Sequence, residues 1–191
     1  MIKIVPYHVR WNAEFQIAGA ALRQALGPLA LRIDHIGSTS VPELGAKDIV
    51  DIQVTTASLF PEEPLITALL AGGYQIRGDI HEDHRPAGDD RSDAEWQKRY
   101  CREPEGTRRT HIHVRVAGKA NQRYALLFRD FLRSNCFAAG SYEQIKRELA
   151  RLHPHDINAY LAIKDPVCDL ITIAAESWAS TTHWRFAQSD A

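Results

Sequence analysis

Gly37-Ser38-Thr39-Ser40 places one glycine and three hydroxyls in four consecutive positions. Backbone N–H and side-chain O–H groups gathered in one tight bend are the chemistry that holds a phosphate or another oxyanion. Asp51 follows thirteen residues after Ser38, inside a run rich in β-branched residues, where a carboxylate normally destabilises a strand. Gly37, Ser38, Thr39 and Ser40 are therefore read as an oxyanion cradle. Ser38 and Asp51 are read as the catalytic candidates, with Asp51 as a metal ligand. His111 and His113 alternate along a second run with Ile112, Val114 and Val116, so both imidazoles take one strand face. Two imidazoles at i, i+2 chelate one metal when a sheet neighbour such as Asp51 adds a third ligand. Protonated, and flanked by Arg109 and Arg115, they bind phosphate instead. A solvated polar sheet face competes with both readings. Lys47, Arg129 and Lys146 are the cations placed to neutralise a phosphate.

Nucleotidyltransferases of the polymerase-β type build their site in this way. A Gly-Ser turn holds the triphosphate, and carboxylates at alternate strand positions hold Mg²⁺. Here the alternate position carries Gln53, a neutral and weaker ligand for a hard cation. His81-Glu82-Asp83-His84 has metal-ligand letters but no helical His-Glu-x-x-His spacing, and reads as part of a solvated, exposed loop over 78–95. Cys101, Cys136 and Cys168 are odd in number and widely spaced. That pattern argues against a disulfide framework and suits a reducing cytoplasm.

The elements that must position these groups follow from periodicity. Trp11, Phe15, Ala18, Leu22 and Ala25 mark one face of a helix over 8–27, stopped by Gly27-Pro28. Strands are expected at 31–36 and 49–54 on either side of the Gly-Ser turn, and a helix over 61–73 leads to a short strand. Runs 96–102 and 110–116 around Glu103-Pro104-Glu105-Gly106 read as an antiparallel hairpin. Helices are expected at about 121–134, from Ser141, and at about 156–179, the last kinked or restarted at Pro166. The polar tail 181–191 is expected to fray.

The 191 residues fit one domain over 1–180 with a helical C-terminal part over 120–180. Such a chain buries roughly 70% of its unfolded surface. A formal net charge of −1 gives no global field for nucleic acid or a membrane surface. No apolar run reaches membrane-spanning length, and the N-terminus lacks the apolar core of a signal peptide.

The assembled residues resemble the GrpB family, also called UPF0157. The resemblance runs through His35-Ile-Gly-Ser-Thr-Ser-Val-Pro-Glu-Leu-Gly-Ala-Lys47, Ile49-Val-Asp-Ile-Gln-Val54, Gly73-Tyr74, His111-Ile-His-Val114 and Leu127-Phe-Arg-Asp-Phe-Leu-Arg133. It continues in Tyr142-x-x-x-Lys146, Tyr160-x-x-x-Lys164 and Ala174-Ala-Glu-Ser-Trp178, and so covers roughly residues 7–180. It implies a nucleotidyltransferase-like α/β fold, a mixed sheet flanked by helices. A related domain is fused to dephospho-CoA kinase in some bacteria. This sequence departs from the family pattern at Glu43, where Gly is common, and at Asp48, where Pro is common. Asp48 lies three residues before Asp51, an odd offset that points it to the opposite strand face.

Taken together, the expected function is metal-dependent nucleotidyl or phosphoryl transfer, or ATP-dependent activation of a carboxylate, on a nucleotide or phosphorylated small molecule. Asp51, Gln53, His111 and His113 would hold Mg²⁺ or Mn²⁺, with Zn²⁺ as the alternative ion. Competing expectations are a non-catalytic small-molecule-binding or folding-assistance domain and a metal-dependent hydrolase using the two histidines.

Overall fold

A computed structural model describes all 191 residues as a five-stranded mixed sheet with helices on both faces. Helix α1 (Arg10–Leu26) leads into strand β1 (Arg32–Ile36), and a single 3₁₀ turn over Ser38–Ser40 leads towards β2 (Val50–Thr56). Helix α2 (Glu63–Ala71) and the short β3 (Gln75–Ile76) precede β4 (Arg99–Arg102) and β5 (Thr110–Val116). Helices α3 (Ala120–Ser134), α4 (Cys136–Leu152) and α5 (Ile157–Thr182) complete the chain. The sheet order is β1-β2-β5-β4-β3. Only the β2–β5 pair is parallel, and β4–β5 is the antiparallel hairpin expected from its turn residues.

Strand alternation divides the sheet into two chemistries. Ile33, Val50, Ile52, Val54, Ile112 and Val114 are buried on one face against Phe15, Leu22 and Leu26 of α1 and Leu65 and Leu69 of α2. Fully burying side chains of this kind stabilises by about 1.5–3 kcal/mol each. The opposite face carries Asp51, Gln53, His111, His113 and Arg115. A second core, with Leu127, Phe131, Tyr142, Cys168 and Ala175, joins α3, α4 and α5. The polar sheet face therefore meets a helical layer with its own core, and the space between them is the cleft described below.

Four expectations need correction. Helix α4 begins at Cys136, five residues before Ser141, because the Asn135 side chain accepts from the Ala138 N–H at 3.0 Å and caps it. Helix α5 runs through Pro166 as one helix rather than restarting there. The 78–95 segment is not simply a solvated loop, since Asp83 is drawn in beneath the sheet face. The tail does not fray: Ser189 Oγ accepts from the Ile33 N–H at 2.8 Å, and the Asp190 carboxylate accepts from the His35 N–H at 2.9 Å. The tail satisfies donors on the outer edge of β1 that an edge strand would otherwise leave open. No helix is long and apolar enough to cross a membrane.

Candidate functional site

Parallel register sets Asp51 directly beside His111 and Gln53 beside His113. His111 Nδ1 lies 3.2 Å from Asp51 Oδ1. Burial would raise the Asp51 pKa, but the hydrogen bond from His111 and the nearby positive charges outweigh it and hold the carboxyl below its ordinary value. Above this pair the chain turns at Gly37, where φ is +68°. A Cβ at that position would collide with the Asp51 carboxylate, so glycine is required both by the dihedral and by the close approach.

Ser38 lines the cleft and accepts a hydrogen bond from Lys146 Nζ at 2.8 Å. The other two hydroxyls of the turn are engaged locally. Thr39 Oγ1 pairs with His35 Nε2 at 3.0 Å, and Ser40 Oγ donates to the Gly37 carbonyl at 2.6 Å. His35 is stacked on Phe15 at 4.7 Å, and burial pushes its pKa down to about 3. Of the four predicted cradle residues, Gly37 and Ser38 therefore face the cleft, whereas Thr39 and Ser40 build the turn.

Gln53 is fully buried and faces Arg115, which donates to its Oε1 at 2.6 Å. The same guanidinium forms two hydrogen bonds of 2.8 Å to Asp83. Lys98 Nζ donates to Asp83 Oδ1 at 2.7 Å, and Asn121 donates to Asp83 Oδ2 at 3.1 Å. Burial would raise the Asp83 pKa, but Arg115 and Lys98 hold it far below the usual carboxylate range. His113 sits among the same cations, with Nδ1 3.3 Å from Lys98 Nζ and 3.5 Å from Arg115 Nη2. Burial first, and these charges second, push its pKa well below the ordinary value and keep the ring neutral. Asp83, Lys98 and Asn121 were not legible as site residues, and the only sequence signal was the cluster of metal-type letters at 81–84.

Lys47 also lines the cleft, with Nζ 5.7 Å from the Tyr160 ring centre. Lys164 lines it from α5 and pairs with Asp165 at 2.7 Å. Arg129 does not reach the cleft. It is buried behind β1, donating to the His35 carbonyl at 3.0 Å and to Asp190 at 2.7 Å. Asp48 is likewise elsewhere, held by the Trp11 indole N–H at 2.7 Å and by Arg10 at 3.0 Å. The cleft encloses about 580 Å³. Lys47, Lys98, Arg115, Lys146 and Lys164 line it against the carboxylates of Asp51, Asp83 and Asp165.

The fold type implies a divalent metal on paired carboxylates. The residues present do not fit a resident centre of that kind. Asp51 is one carboxylate, Gln53 spends its oxygen on Arg115, His113 lies among cations, and no three His, Cys, Asp or Glu side chains are grouped to hold an ion.

The sequence profile of the family described as GrpB protein matches residues 1–173. A curated relative, the dephospho-CoA kinase of Mycolicibacterium paratuberculosis, is 35% identical over 96% of this chain and 48% of its own length. The chain thus spans about half of the dephospho-CoA kinases it matches. The crystal structure of the conserved protein GrpB from Enterococcus faecalis superposes with a TM-score of 0.74 at 30% identity, over 92% of this chain and 99% of that one. The Cid1 poly(U) polymerase, an H336N mutant bound to MgATP, superposes with a TM-score of 0.50 at 13% identity, over 80% of this chain and 46% of that one. That likeness is one of fold: the architecture is nucleotidyltransferase-like.

Proposed function

This chain belongs to the GrpB protein family, and from that premise we propose that it binds a phosphorylated small molecule, foremost a nucleotide, in the cleft between sheet and helices, and catalyses group transfer there. The observation that carries this reading is the cation excess of the cleft. Five basic side chains face three carboxylates in a partly open cleft of about 580 Å³, within the size range of small-molecule sites. Such a site attracts an anion and strengthens its contacts by excluding water.

Within it, Lys47, Lys98, Arg115 and Lys164 neutralise phosphate charge, and Ser38, hydrogen-bonded to Lys146, lines the cleft wall. The Asp51–His111 pair moves the acceptor's proton: the carboxylate accepts from Nδ1–H and fixes the tautomer, leaving Nε2 as the basic atom. The transferred group is a nucleotidyl or phosphoryl group, or the phosphate end of ATP passed to a carboxylate. A divalent ion enters this reading as part of the nucleotide substrate, carried on its phosphates.

Thermal unfolding in the presence of Mg²⁺ with ATP, GTP, UTP or coenzyme A tests the reading. A ligand at 100 times its dissociation constant stabilises by about 2.7 kcal/mol. For a domain of this size that raises Tm by about 5–10 °C. No shift with any of these anions would contradict it. The Gln53–Arg115 bond favours a second reading, ligand binding without turnover, because it removes the second metal-binding oxygen. Asp51→Asn separates the two: loss of turnover with the ligand shift retained supports the enzyme, and absence of turnover in the unmutated protein with the same shift supports the binding domain.

A further inference from the structure

Ser38 and Lys146 come from distant parts of the chain, and the fold closes them to 2.8 Å between Oγ and Nζ. Lys146 is only 3% exposed. Its one other polar contact is the Gly45 carbonyl at 2.6 Å, and no carboxylate accepts from it. Glu143, one turn earlier on α4, spends its carboxylate on the Gly45 N–H at 2.5 Å and on Arg147 at 2.7 Å. The groups that face Lys146 are Asp51 from β2, Lys164 and Cys168 from α5, and Tyr142 and Glu143 from its own helix. Burial, with repulsion from Lys164, outweighs the attraction of Glu143 and Asp51 and pushes the Lys146 pKa down to about 7. The neutral amine therefore becomes accessible close to neutral pH, far below the range in which an exposed lysine deprotonates. A neutral lysine has a lone pair, and at this distance it accepts the Ser38 hydroxyl proton.

We propose that Ser38 is a nucleophile with Lys146 as its general base, and that the cleft takes an activated acyl group from a phosphorylated small molecule onto Ser38. This goes beyond the group transfer proposed above, since the group taken up is an acyl group and the acceptor is water, and it rests on the cleft being a working site for a phosphorylated ligand. In the first step the Ser38 Oγ forms a bond to the carbonyl carbon while its proton passes to Lys146 Nζ. The carbon–oxygen bond to the phosphorylated carrier breaks, and the ammonium of Lys146 returns the proton to the leaving oxygen. In the second step a water molecule, deprotonated by the same amine, adds to the ester carbon. Ser38 leaves as the hydroxyl and the acyl group departs as a carboxylic acid. Serine–lysine pairs perform this chemistry on unrelated folds.

The full chain is treated with phenylmethanesulfonyl fluoride, which forms a stable sulfonyl ester on an activated serine with loss of fluoride, and the modified residue is found by peptide mass mapping. The expected result is an adduct at Ser38 whose rate of formation rises with pH about a midpoint near 7. Lys146→Met and Lys146→Arg, each checked for an intact fold by circular dichroism, are expected to lose the reaction by about 100-fold or more. An arginine rescues a structural or purely electrostatic role but stays protonated and cannot act as base. Absence of the Ser38 adduct at pH 8, or an undiminished rate in Lys146→Arg, overturns the proposal. A nucleotide-induced thermal shift that persists without Ser38 labelling overturns the nucleophile alone. Labelling without any such shift leaves the nucleophile and overturns the phosphorylated ligand.

Discussion

Arg115 donates to the Oε1 of Gln53 across 2.6 Å, at the strand position where a polymerase-β-type site would carry its second carboxylate. A guanidinium thus occupies the surroundings that a second divalent ion would need. On the cleft floor Asp83 is paired with Arg115 and Lys98, and Asp51 lies against His111 Nδ1.

This relationship predicts an asymmetry at position 53. Gln53→Leu leaves a buried guanidinium N–H without its acceptor and is expected to destabilise by about 2–3 kcal/mol. Gln53→Glu keeps an acceptor for Arg115 and adds an opposite charge, but it loses the Nε2 donor to the Gln122 carbonyl at 3.3 Å, so its loss is expected to be smaller than that of Gln53→Leu, at about 1–2 kcal/mol. Urea denaturation of both variants checks the order. Equal losses would mean that the bond contributes nothing beyond side-chain packing.

Glu43 holds φ at +64°, a left-handed conformation that favours glycine, and it is exposed. A non-glycine residue there carries about 1–2 kcal/mol of strain. The greater backbone freedom of glycine in the unfolded chain offsets part of the relief. Glu43→Gly is expected to stabilise by about 0.5–1 kcal/mol, read as a rise in the urea midpoint at unchanged slope. A fall in the midpoint would show that the Glu43 side chain makes a contact outweighing its strain.

Lys146 also fixes the sign of a pH effect on stability. Its folded-state pKa, about 7, lies below the ordinary value near 10.5 that the unfolded chain retains. Between these values the unfolded state binds the extra proton, so stability rises with pH. The burial penalty is present in full below pH 7 and disappears as pH rises towards 10.5. Unfolding free energies of the unmutated protein and Lys146→Met, compared at pH 7 and pH 9, should diverge by about 2–3 kcal/mol, with the unmutated protein gaining at the higher pH. A difference that does not change with pH would contradict a depressed lysine.

The sheet and its polar face were legible because strand period is a local property. Alternation placed Asp51 with Gln53, and His111 with His113, on shared faces, and the Gly37 turn was readable from its letters. The β2–β5 register then made Asp51 and His111 neighbours, as their shared polarity anticipated. Asp83 was not legible, since a polar loop reads the same whether or not one of its carboxylates is drawn under a buried arginine. Arg129 failed for the opposite reason. On an apolar helix it resembles a cleft cation, yet its partner is Asp190 in a tail whose composition predicts fraying. Both errors concern long-range pairing of charged side chains, which leaves no periodic trace in the chain.

The most direct test of the account follows the imidazole resonances of the nine histidines by NMR while a magnesium nucleotide is titrated into the protein. With a nucleotide bound in the cleft, His111 and His113 are expected to shift with saturation, while His8, His153, His155 and His183, which do not line the cleft, remain in place. Stationary His111 and His113 signals under conditions where the nucleotide binds, or shifts confined to the outlying histidines, would contradict it.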